Sequence, residues 1–139
     1  MICGEYETML EHTEIALKAL RALLVRDALA LAEMTLLLFH AVTMAIAVQR
    51  GILSMSGNSY FRQVQESVGF ETAWTRYHNL IAGVDAPTVP GNLPEMRGVA
   101  ALRLYQETAR LLLPVLDASH YGEVVLQTSI VIDEALARE

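Results

Sequence analysis

From Glu5 to Arg50 the chain contains neither glycine nor proline, and nearly every residue is a strong helix former. One unbroken helix of that length would extend more than about 60 Å, too long for a compact domain of 139 residues. The run therefore has to turn back on itself. The stretch "VRDA" is the natural corner, because the Asp27 carboxylate can accept a hydrogen bond from the first turn of a following helix. The expectation is a first helix over Tyr6 to Val25 and a second over Ala28 to Gln49. Gly51 closes the second in the position after its cap.

Downstream, "SMSGNS" reads as a loop, with Asn58 or Ser59 as the next cap. A third helix spans Tyr60 to Ala82, with Gly69 as a candidate break and Gly83 as its close. "GVDAPTVPGNLP" is the clearest linker, after which Pro94 suits the first turn of a fourth helix. Pro114 should end or kink that helix, and Ser119 can cap a last one over His120 to Ala137. No segment shows the alternation of a strand, and there is no internal repeat. The pattern specifies an all-α, up-and-down antiparallel bundle of about five helices, as a single domain over residues 1–139.

The second helix, "LALAEMTLLLFHAVTMAIAVQ", is long and apolar enough to cross a bilayer. Glu33 and His40 oppose that reading. An ionisable group in mid-span costs on the order of 3 kcal/mol, against about 0.5 kcal/mol gained per leucine. The neighbouring segments are too polar to share a membrane, so the better expectation is a central bundle helix buried on most sides. In the first helix, Glu7, Glu11, Glu14, Lys18 and Arg21 form one stripe, with acids first and bases last, and it reads as a solvated face.

Composition narrows the function. Hydrophobic residues make up 53% and charged residues 19%, which leaves apolar surface for self-association or a permanent partner. A net charge of −6 without a basic cluster argues against nucleic acid. The lone Cys3 excludes an internal disulfide and fits the cytoplasm, and the acidic "MICGEYETML" does not read as a targeting peptide.

Few residues suggest chemistry. Glu33 and His40 are seven apart and share a helix face, which Thr43 and Met44 continue. Buried ionisable groups need partners or a cleft, so this face is either a satisfied core pair or one wall of a ligand or partner groove. Trp74, Tyr77, His78 and Ile81 form an aromatic stripe, read as core packing or a contact surface. Arg103, Glu107 and Arg110 form a ladder that reads as a surface ion network. The candidate groove thus comprises Glu33, His40, Thr43, Trp74, Tyr77 and His78. No histidine follows a glutamate by three residues, as a di-metal bundle requires, so no metal is expected. No phosphate loop or nucleophile elbow is present, so no cofactor is expected and the chain shows no set for catalysis alone.

The run "EMTLLLFHAVTMAIAVQRGI", then "YFRQVQESVGF", a linker and "ALRLYQETARLLLPVL" resembles the helical domain that accompanies small nucleotidyltransferases. Such domains are similar to the C-terminal bundle of aminoglycoside nucleotidyltransferases and to the HEPN group. The resemblance covers about Ala28 to Leu116. It implies an all-α bundle packed against a separate nucleotidyltransferase chain, which would supply the metal-binding aspartates and the nucleotide grip. The bundle would form one wall of the substrate cleft, sometimes with a carboxylate as base. Glu33 is the candidate for that carboxylate, on the expectation that it is buried. The Arg–His spacing of RNA-cleaving HEPN members is missed by Arg26 and His40, by Arg76 and His78, and by Arg110 and His120.

Two functions therefore stand. One is a non-catalytic substrate-binding subunit beside a nucleotidyltransferase. The other is a homodimeric helical protein with a structural or regulatory role and no enzymatic activity, its apolar surplus buried across a two-fold axis.

Overall fold

A computed structural model describes the backbone of residues 2–52, 59–84, 93–116 and 120–138, and the side chains of residues 11–52, 59–84, 93–112 and 123–138. The described chain is all helical, with six helices: α1 (Ile2–Leu24), α2 (Ala28–Gln49), α3 (Tyr60–Val68), α4 (Ala73–Ala82), α5 (Leu93–Leu116) and α6 (His120–Ala137). The extra helix arises at Gly69, where the expected third helix divides. Gly69 adopts φ 115°, and a Cβ there would lie 3.0 Å from the Thr72 methyl. Its carbonyl accepts hydrogen bonds from Thr72 Oγ1 (2.8 Å) and Thr75 Oγ1 (2.7 Å). Thr72 in turn caps α4 by accepting from the Thr75 amide at 3.3 Å.

The α1–α2 corner falls at "VRDA". Arg26 takes φ 59°, the left-handed conformation usually left to glycine. The Asp27 amide reaches back to the Ala22 carbonyl (2.9 Å) and the Arg26 amide to Leu23 (3.2 Å), which satisfies the last carbonyls of α1. Asp27 Oδ1 then accepts from the Ala30 amide (3.1 Å) to start α2. Gly51 ends α2 with the same pattern, Ile52 bonding back to Ala47 at 2.9 Å. Ser59 precedes α3 but does not cap it through its side chain; its hydroxyl accepts from Gln63 Nε2 instead. The backbone of α5 continues through Pro114 to Leu116. Asn58, Ser119 and most of the "GVDAPTVPGNLP" linker lie outside the described residues, as do the side chains of Cys3 and Glu7.

Helix α5 is the hub, touching α1, α2, α4 and α6, while α2 also packs on α1. Gly98 lets α2 and α5 close together: a Cβ there would sit 2.6 Å from Leu31 Cδ1. The core is built from Ala16, Ala19 and Leu20 of α1, Leu31, Leu38, Val42 and Ile46 of α2, Trp74 of α4, Leu102, Leu104 and Tyr105 of α5, and Ile132 of α6. Burying this apolar surface is the main drive for the bundle. Several buried polar groups find partners within the bundle. Trp74 Nε1 donates to Thr108 Oγ1 (2.8 Å), which donates on to the Leu104 carbonyl. Tyr105 shares a 2.5 Å hydrogen bond with Thr13. Burial pushes the Tyr105 hydroxyl up to about 12, so it stays protonated.

The described part of the α1 charge stripe, Glu11, Glu14, Lys18 and Arg21, faces solvent as expected, with Lys18 and Glu14 paired at 3.6 Å. Helix α2 differs from expectation. It is not buried on most sides: Leu31, Thr35, Leu38, Phe39, Val42, Thr43, Ile46 and Ala47 face the core, while the opposite face is open.

Candidate functional site

The six residues of the candidate groove do not converge. Glu33 and His40 lie on the open face of α2, whereas Thr43 turns inward with the core stripe. The expectation that Glu33 is buried is therefore corrected. Its side chain is exposed on the outer face of α2. Met44 stays with His40 on the outside.

Thr43, Trp74 and His78 do meet, deep in the core. The His78 ring stacks between Phe39 (centroids 4.4 Å apart) and Trp74 (4.7 Å), with Phe61 edge-on at 5.1 Å. The hydrogen bonds assign its tautomer. Thr43 Oγ1 spends its single proton on the Phe39 carbonyl (2.6 Å), so it accepts from His78 Nε2–H at 3.1 Å. Nδ1 of His78 is left as an acceptor for Gln65 Nε2 (2.9 Å), whose other proton goes to Asn79 Oδ1 (2.7 Å). Every group is satisfied only when the ring is neutral. Burial, with a smaller contribution from His40, lowers His78 from 6.5 to about 4. The rings and hydrogen bonds make this a buried, mutually satisfied cluster. Phe39, Phe61 and Gln65 complete it and were missing from the candidate residues. Phe39 alone carried a usable signal, since it lies four residues before Thr43.

Tyr77 faces another way. It borders a polar surface cleft of about 250 Å³ with Arg103, Gln106, Glu107, Arg110 and Asp133. Arg103 Nη1 donates to Asp133 (2.5 Å) and Gln106 Oε1 (2.9 Å), and Arg110 Nη1 donates to Glu107 at 2.5 Å. The Arg103 hydrogen bond holds the Asp133 carboxyl below the usual carboxylate range. The expected ladder is therefore a set of surface ion pairs that also ties α5 to α6.

A smaller cleft of about 140 Å³ lies between α2, α4 and α5, with Leu36, Ile81 and Pro94 among its walls. Thr35 Oγ1 and Arg97 Nε lie buried there without hydrogen-bond partners among the described residues. No group of three or more His, Cys, Asp or Glu side chains gathers among the described residues to hold a metal.

The most extensive unexplained feature is the outer face of α2. Leu29 is 81% exposed, Val48 59% and Leu36 57%, and Leu37 and Met44 lie beside them. Together with Glu33 and His40 they form one stripe along the whole helix. The same helix is long and apolar enough to span a membrane by length and composition, with a mean hydropathy of 1.9 in its most apolar window. Comparison of the chain with models of known protein families, with curated proteins and with solved structures finds no match in any of the three.

Proposed function

We propose that this chain is a non-catalytic, up-and-down helical bundle that acts by association in the cytoplasm, as a homodimer with a structural or regulatory role. The observation that carries the reading is the exposed, leucine-rich face of α2, from Leu29 to Val48, which the described bundle leaves open. A stripe of this kind marks an interaction surface, because a monomer gains nothing from exposing it. Burying the same patch on two copies removes it from water with one self-complementary contact.

The test uses two co-expressed copies of the chain carrying different tags. They should co-purify at equal stoichiometry, and Leu37→Glu on both copies should abolish the pairing while leaving the helical spectrum unchanged. Recovery of one tag alone from the wild type would refute the homodimer.

The same face supports a second reading. Glu33 is open to solvent in the middle of the stripe, where a nucleotidyltransferase partner of the kind implied by the sequence resemblance could use it in a shared cleft. That reading expects Glu33→Gln to abolish partner-dependent activity without changing the mass of the complex.

A further inference from the structure

The outer stripe of α2 places residues of matching or complementary character at equal distances from its middle. Exposed positions fall in pairs about a midpoint between Leu36 and Leu37: Leu29 mirrors Met44, and Glu33 mirrors His40. Two apolar ends, an acidic group and a basic one are thus set symmetrically about a leucine pair. Glu33 and His40 run down the centre of the stripe, and Leu36 and Leu37 lie on its two flanks.

We infer that two copies of this chain pack antiparallel through α2, about a two-fold axis between Leu36 and Leu37, with Glu33 of each copy against His40 of the other. The inference rests on the homodimer reading above and adds its register. At the axis each Leu36 meets its own counterpart on one flank and each Leu37 meets its counterpart on the other. Leu29 and Met44 of opposite copies close the two ends. A carboxylate facing an imidazole can hydrogen-bond and, when the ring is charged, form an ion pair. Parallel pairing would instead place Glu33 against Glu33 and His40 against His40, which penalises that alternative. The polar pair thus selects both direction and register, as a buried polar position does in helical dimers.

A lipid surface is the poorer occupant of this face. Glu33 lies at its centre, no Lys or Arg occurs anywhere in α2 to meet anionic headgroups, and the chain carries a net charge of −6.

The experiment is cysteine pairing under mild oxidation in a Cys3→Ser background. Leu37→Cys alone should cross-link to itself across the axis. Leu29→Cys alone should not, because the two copies of residue 29 would be separated by about 22 Å along the helix. Mixing Leu29→Cys with Met44→Cys protein should give the mixed disulfide. In parallel, Glu33→Lys should weaken association about tenfold by sedimentation, and Glu33→Lys with His40→Glu should restore it. Efficient cross-linking by Leu29→Cys alone, or no rescue by the charge swap, overturns the register while leaving a homodimer in place. A monomeric wild type overturns the register and the homodimer together, and vesicle binding by that monomer would assign the stripe to lipid.

Discussion

Acidifying the protein from about pH 7.5 to about pH 5 should remove a large part of its stability through two buried histidines. His12 on α1 and His78 on α4 are nearly inaccessible, and burial lowers each from 6.5 to about 4. Both are held neutral. For His78 the reason is visible in its partners, since a second ring proton on Nδ1 would point at the Gln65 amide protons. Nδ1 of His12 has no hydrogen-bond partner among the described residues. A histidine whose folded value lies below its unfolded one takes up its proton more readily in the unfolded chain. The stability is therefore intact above about pH 6.5 and is lost as pH falls toward about 4. At about pH 5 each histidine should cost about 2 kcal/mol, and the pair about 4 kcal/mol. Against a typical total of about 5–15 kcal/mol that loss is easily measured. Urea titrations followed by helical signal, at fixed protomer concentration, give the free energy at each pH. The double variant His12→Gln, His78→Gln replaces each ring with a side chain that donates and accepts but does not titrate, and it should flatten the dependence in this window. Equal wild-type stability at the two pH values would refute the reasoning. So would a double variant that loses as much as the wild type.

Two further outcomes follow from the backbone. Gly98→Ala drives a methyl to within 2.6 Å of Leu31 Cδ1, so separating α2 from α5 should cost about 1–3 kcal/mol in the same titration. Arg26→Gly removes a side chain from a left-handed position and should raise stability by up to about 1 kcal/mol; a loss would show that the Arg26 side chain matters more than its backbone.

Much of the helical framework was legible because its signals are local. Asp27 offers a cap, Gly51 and Gly83 permit left-handed turns, and Gly69 marks the break between α3 and α4. The site was not legible, for a physical reason that centres on α2. That helix carries large apolar residues on every side, so two stripes compete for the core: one through Leu31, Thr35, Phe39, Val42 and Ile46, the other through Leu29, Leu36, Leu37, Met44 and Val48. Only the packing of α1 and α5 decides between them. Thr43 is three residues from His40 and shares its side of the helix by spacing, yet it belongs to the buried stripe. The contact of His78 with Gln65 crosses the Gly69 break, and no spacing rule within one helix reaches across it. The outer face was hidden for the same reason, because a leucine pointing to solvent looks in sequence like a leucine pointing to the core.

The proposed homodimer has α2 present its outer face to a second copy of the chain. The most direct test is sedimentation equilibrium of the untagged wild-type protein over a range of concentrations. The result expected is a mass of twice 15.3 kDa that falls toward one protomer on dilution, with Leu36→Glu monomeric throughout. A wild type that stays at 15.3 kDa at every concentration would contradict it.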